Sequence, residues 1–188
     1  MAGSSTADLG VTRHEGGADA SAAPAFFFDL RSPEAYLAAE RALQEHPGVE
    51  WVPVRSTALP GAETYEAFRC AEERASVMAD LELRARVAGL QPVRWPEPFP
   101  FDSELALRAA AYAKSIGRVV AFTLAAFRQA YAGGHVLDET YVLISASACE
   151  MHPRAVLQAL KSDRVGAQLD AFTERARSRG VRDVPAVA

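Results

Sequence analysis

Apolar and polar positions follow a sheet-like pattern at both ends of this chain and a helical one between them. Residues A-F-F-F-D-L, Ala25 to Leu30, form a short apolar and aromatic run, the pattern of a strand buried on both faces. A helix is predicted directly after it. Ser32 is a preferred N-cap residue, Pro33 suits the first helical position and Glu34 the first turn. Tyr36, Ala39 and Leu43 recur at helical spacing and give that helix an apolar stripe. Pro47-Gly48 ends it. V-E-W-V-P-V-R then reads as a second strand, whose Pro53 argues for a sheet edge. Strand, helix, strand within about 30 residues predicts a right-handed β-α-β unit with parallel strands.

The period then changes. Residues 62 to 89 are rich in Ala, Glu, Arg and Leu and predict one or two helices. L-Q-P-V-R-W-P-E-P-F-P-F carries four prolines and predicts an extended loop. Asp102 or Ser103 caps the next helix, with Leu105, Leu107 and Ala111 facing inward and Gly117 as its stop. Further helices are expected over about 119–132, 139–150, 153–162 and 164–179. The chain closes with V-R-D-V-P-A-V-A, a short strand carrying Pro185. The simplest organisation is a discontinuous sheet domain, residues 25–56 and 164–188, interrupted by a helical insertion over 57–163. The first 24 residues are small, polar and rich in Gly, Ala and Ser, and are expected to form a disordered tail that buries too little surface to fold.

Composition narrows the function classes. With 188 residues and 49% apolar content, a sizeable core is available. A net charge of -4 gives no electrostatic case for nucleic acid or an anionic membrane. No apolar run approaches the ~18–20 residues that span a bilayer. Cys70 and Cys149 are far apart and form no C-x-x-C, which argues against a disulfide framework and a cysteine zinc site. Two free thiols suit a reducing compartment, and the start of the chain lacks the basic-then-apolar pattern of a signal peptide. The expected location is the cytoplasm.

Few residues carry candidate chemistry. Ser32 sits where a buried strand turns into a helix N-terminus, the place where open α/β sheets bind ligands. Unpaired N–H groups and the positive end of the dipole gather there, and Arg31 adds charge beside it. On these residues alone, the simpler reading of Ser32 is an ordinary helix cap. Val184-Pro185 is a candidate cis peptide, although cis accounts for only about 5–6% of such bonds. His135 and His152 have no partner at metal-ligand spacing, so no metal is expected. Asp80 and Arg84 read as a surface pair, and Cys149 as packing. Neither a phosphate loop nor a G-x-S-x-G elbow is present.

Taken in order, F-F-F-D-L, R-S-P-E-A-Y-L-A, D-L-E-L-R-A-R-V-A-G-L, P-x-x-W-P-x-P-F-P-F-D-S, A-F-R-Q-A-Y-A-G-G and G-V-R-D-V-P-A-V resemble the DsbA-like thioredoxin superfamily. The nearer resemblance is to its branch of 2-hydroxychromene-2-carboxylate isomerases and kappa-class glutathione transferases. It implies an α/β thioredoxin-like fold with a large all-helical insertion, truncated after the cis-proline strand and leaving a sheet edge open. It also implies glutathione, or another small thiol, as cofactor. Ser32 would be the catalytic residue, holding the sulfur as thiolate. Arg31, Val184 and Pro185 would bind the cofactor, Val184 through its backbone. The partner implied is a small-molecule substrate, an unsaturated or aromatic electrophile, and a homodimer is the assembly considered. The alternative is a DsbA-like binding or scaffold domain without catalysis. Glu34, which stands where the branch carries an aromatic residue, and the missing upstream lysine, whose place Glu73 takes, favour that alternative. A thiol–disulfide oxidoreductase would need cysteines that positions 32 to 35 lack.

Overall fold

The computed structural model describes residues 12–13, 23–61 and 70–188. Among these residues four strands make one sheet: β1 (Thr12–Arg13), β2 (Ala25–Phe28), β3 (Glu50–Pro53) and β4 (Ala186–Val187), in the order β1-β4-β2-β3. β2 and β3 are parallel and joined through α1 (Pro33–Glu45), as the β-α-β pattern predicts. Among the described residues β3 pairs only with β2, so Pro53 lies on an edge strand, where its missing N–H costs no ladder bond. β4 returns antiparallel on the other side of β2.

The three phenylalanines explain why β2 is buried on both faces. Side chains alternate across a strand. Phe26 and Phe28 pack with Trp51 and α1 in one core, while Phe27 joins Val52, Val54, Ala176, Val184 and Ala186 in another.

The helical residues form α2 (Ala71–Val87), α3 (Glu104–Ser115), α4 (Val119–Phe127), α5 (Glu139–Ala148), α6 (Pro153–Leu160) and α7 (Asp163–Ser178). α3 is the central one. Its alanines let it approach two cores at once: Ala106, Ala109, Ala110 and Ala113 face the larger, and Leu107 and Ala111 face Ala159, Val165 and Leu169. The start of α3 is tied to the sheet by charge. Arg55, just past β3, grips Glu104 with two bonds of 2.7 and 2.8 Å and also pairs with Asp170 of α7. At the other end of β3, Glu50 receives Arg175 at 2.9 and 2.5 Å and Lys114 at 2.7 Å.

Several expectations are corrected. Thr12–Arg13 lies within the segment expected to be a disordered tail, yet it pairs in parallel with Ala186–Val187. Without that pairing the outer edge of β4 would leave backbone groups unpaired. Leu43 is 51% exposed, because the buried positions of α1 stop at Ala42 and its last turn runs clear of its neighbours. Leu105 is exposed rather than inward, whereas Leu107 and Ala111 are buried. The helix expected over 119–132 leaves α geometry after Phe127 and finishes as a wider π turn, Arg128–Ala132. Part of the helix expected over 62–89 lies outside the described residues.

Candidate functional site

Ser32 caps α1. Its backbone is extended, with φ -90° and ψ 115°, and its Oγ accepts the Ala35 N–H at 3.1 Å. A hydroxyl that accepts one bond still has a proton to give. Here that proton goes to Glu34 Oε2 across 3.3 Å, a long bond. Ser32 is 6% exposed, so this donor sits in a largely dry position at the positive end of the helix.

The turn that presents Ser32 is built on Asp29, which the sequence did not single out. Asp29 is 1% exposed at the end of β2. One carboxylate oxygen accepts the Arg31 N–H at 3.1 Å and the Ser103 hydroxyl at 2.6 Å. The other accepts the Ser56 N–H at 2.9 Å and the Ser56 hydroxyl at 2.7 Å. The carboxylate accepts four hydrogen bonds, which makes Asp29 a structural tie between β2, the turn after β3 and the start of α3. Ser103 caps α3 by position, yet its hydroxyl is spent on Asp29, and Asp102 accepts the Glu104 N–H in its place at 2.9 Å.

β4 brings the other predicted residues to the same end of the sheet. The antiparallel register pairs Phe26 with Val187 and Phe27 with Ala186. One further step sets Pro185 level with Phe28, just before the Asp29–Ser32 turn. The Val184-Pro185 peptide is cis, as are Glu97-Pro98 and Phe99-Pro100 in the proline-rich loop. Val184 and Pro185 are buried. The Val184 N–H is held by Asp183 Oδ1 at 2.7 Å. Arg31 is half-buried and lines a polar cleft together with Asp29, Arg55, Thr57, Asp102 and Glu104. Ser32 and Pro185 do not line that cleft, so it adjoins the helix-end site rather than forming it.

Aromatic side chains pack behind the turn. Tyr36 stacks on Tyr131 at 5.6 Å, and Phe127, Phe101 and Trp95 surround Tyr131 at 6.3 to 6.4 Å. Tyr131 is fully buried and gives its hydroxyl to the Arg31 carbonyl at 2.5 Å. Burial first, then the charges of Glu34 and Asp29, push the Tyr131 phenol well above its ordinary range, so it stays a protonated donor.

The sequence model for the DSBA-like thioredoxin domain matches residues 25–188. This chain belongs to that family. Solved structures with the same fold include a 2-hydroxychromene-2-carboxylate isomerase, at TM-score 0.77 and 18% identity over 89% of this chain and 85% of that one. Another is a probable DsbA oxidoreductase from Streptomyces coelicolor, at TM-score 0.67 and 20% identity over 86% and 77%. A third is the cytosolic disulfide reductase DsbM from Pseudomonas aeruginosa, at 0.62 and 14% over 89% and 84%. Comparison with curated proteins finds no match.

Within this DSBA-like fold the described cysteines are placed away from dithiol chemistry at the turn. Positions 32 to 35 read Ser-Pro-Glu-Ala. Cys149 is buried at the end of α5, and burial raises its thiol pKa. Cys70 is exposed at the start of α2. No group of three or more possible metal ligands occurs among the described residues. His135 stacks on Tyr141 at 4.0 Å, and Asp80 meets Arg84 at 3.7 Å as a surface pair. No described helix is long and apolar enough to cross a membrane.

Proposed function

We propose that this DSBA-like protein binds glutathione or another small thiol at the N-terminus of α1 and uses it to transform an unsaturated or aromatic electrophile, as a glutathione-dependent isomerase or transferase of the cytoplasm. The observation that carries the reading is Ser32. It is a buried hydroxyl whose acceptor side is fixed by Ala35 and whose proton goes to Glu34 over a long bond of 3.3 Å. The Ser32–Glu34 bond is long, so a thiolate seated at the cap can take that proton in its place, and the helix end favours the anion. The residues fit such a group. Ser32 donates to the sulfur, Arg31 adds positive charge beside it, and Val184 and Pro185 stand at the same end of the sheet to receive the rest of a peptide-like thiol. Bound there, the thiol would supply a nucleophile for an unsaturated or aromatic electrophile, with Ser32 holding its sulfur as thiolate and Arg31 adding positive charge beside it. The fold likeness to a 2-hydroxychromene-2-carboxylate isomerase, and to DsbM with GSH at TM-score 0.59, is compatible with this chemistry.

A second reading is favoured by two contacts. Glu34 takes the Ser32 proton and Asp183 takes the Val184 N–H, so both groups are satisfied without a ligand, as in a binding or scaffold domain. Assay of thiol-dependent isomerisation and conjugation against unsaturated ketones and aryl halides separates the two. The enzyme reading expects turnover that requires added thiol and falls at least about tenfold in Ser32→Ala, the size of one lost charge-assisted hydrogen bond. Turnover indifferent to Ser32→Ala, or none with any thiol, removes it.

A further inference from the structure

We infer that Tyr131 is a positioning residue for Ser32, acting through the peptide unit between Arg31 and Ser32. This inference rests on the reading of Ser32 as the thiol-holding residue, and adds a part of the molecule a hundred residues away in sequence.

A peptide unit is planar and presents one carbonyl and one N–H on opposite edges. In the Arg31–Ser32 unit both are held. The carbonyl accepts the Tyr131 hydroxyl at 2.5 Å, and the Ser32 N–H donates to the Asp29 carbonyl at 3.1 Å. With both edges fixed, the plane cannot turn about its flanking bonds. The direction in which Ser32 leaves the backbone is then set, and with it the position of Oγ over the first turn of α1. The Ala35 N–H on Oγ completes the arrangement. Without Tyr131 the carbonyl edge would be free to tilt.

Tyr131 reaches this peptide because α4 changes pitch. The Gly133 N–H bonds to the Arg128 carbonyl, five residues back, at 2.8 Å. This wider turn accommodates an extra residue and offsets Tyr131 from the register of α4. Two features keep it wide. A Cβ on Gly133 would stand 2.6 Å from the Gln129 carbonyl oxygen, so the turn needs glycine there. The Tyr131 carbonyl accepts the Arg94 N–H at 2.8 Å, which docks the proline-rich loop on the turn. Tyr36 and Phe101 hold the ring, so its hydroxyl arrives at the carbonyl with little freedom left to lose.

Tyr131→Phe keeps the ring and removes the bond. Three measurements on the full chain test the inference. Thermal unfolding establishes that the variant is folded. Amide hydrogen exchange by NMR is expected to be about three- to tenfold faster at Ser32 and Ala35 in the variant, the range of one neutral hydrogen bond, with β3 and α7 unchanged. Ultraviolet titration of bound glutathione is expected to show a higher thiol pKa in Tyr131→Phe than in wild type. If wild type holds glutathione as thiolate and the variant matches it in both pKa and exchange, the clamp is refuted while the thiol-site reading stands. If wild type binds no thiolate, that reading fails, and exchange at Ser32 and Ala35 alone decides the clamp. Should Tyr131→Phe not fold, site-specific 3-fluorotyrosine in place of Tyr131 keeps ring and hydroxyl and makes a stronger donor. It is expected to slow exchange at Ser32, and unchanged exchange overturns the clamp.

Discussion

Ser103 gives its hydroxyl to Asp29 at 2.6 Å instead of to the first turn of its own helix. The bond joins residues 74 apart in sequence. It ties the start of α3 to the strand end from which the Ser32 turn begins. Ser103→Ala removes one hydrogen bond to a charged group and is expected to cost about 1.5–2 kcal/mol. Asp29→Ala leaves the Ser56 and Ser103 donors and the Arg31 N–H without their acceptor and is expected to cost about 3 kcal/mol or more. Urea unfolding of the two variants checks the order. Equal and small losses would show that Asp29 does not tie the three segments together.

Acid is expected to loosen the two ion-pair clusters at the ends of β3. Hydrogen bonds from Arg55, then Arg108, hold Glu104 at about 2, and those from Arg175, then Lys114, hold Glu50 at about 2, both against burial and below the ordinary 4.5. Both folded values lie below the unfolded one. Their contribution to stability is therefore present above about pH 4.5 and lost as pH falls through about 2. Unfolding midpoints measured between pH 7 and 2 are expected to fall across that window, and less steeply in Glu104→Gln. An equal slope in the variant would contradict the assignment.

Glu34 has opposite effects on fold and site. Its charge favours the N-terminus of α1 by about 0.3–1 kcal/mol. The same charge would repel a thiolate bound at Ser32. Glu34→Gln is expected to lower stability slightly, yet to raise thiol affinity about three- to tenfold and lower the bound thiol pKa. Calorimetric titration with glutathione beside thermal unfolding checks both signs. Weaker binding in the variant would contradict the role given to Glu34.

The two cysteines are expected to differ in reactivity. Cys70 is exposed, while Cys149 is buried with its thiol pKa raised by burial. A chromogenic disulfide reagent is expected to titrate one thiol in the native protein and two in denaturant. Fast reaction of both in the native state would contradict the packing of Cys149.

Local signals in the sequence sufficed for what local chemistry decides. F-F-F-D-L, Ser32-Pro33 and Pro53 carry their own strand, cap and edge preferences, and the structure follows them. The parallel pairing of β2 with β3 follows from the short helical connection. What escaped the sequence reading depends on partners brought together only by folding. Asp29 looks like an ordinary turn residue until Ser56 and Ser103 arrive from 27 and 74 residues away. Tyr131 fits an amphipathic helix and shows no sign of the wider turn, apart from the glycine pair that follows it. Leu43 has helical spacing, but whether a last turn is covered depends on where the neighbouring elements stop. Thr12 has strand propensity, but two residues in a Gly- and Ala-rich run carry no alternating pattern, and their pairing is set by the edge they meet.

The proposed chemistry requires that Ser32 hold a thiolate. The most direct measurement is ultraviolet titration of glutathione bound to wild type and to Ser32→Ala. The bound thiol pKa is expected to lie below that of free glutathione in wild type and to rise by about one unit or more in the variant, the worth of one charge-assisted hydrogen bond. A bound thiol that titrates as it does in water, or identically in both proteins, would contradict it.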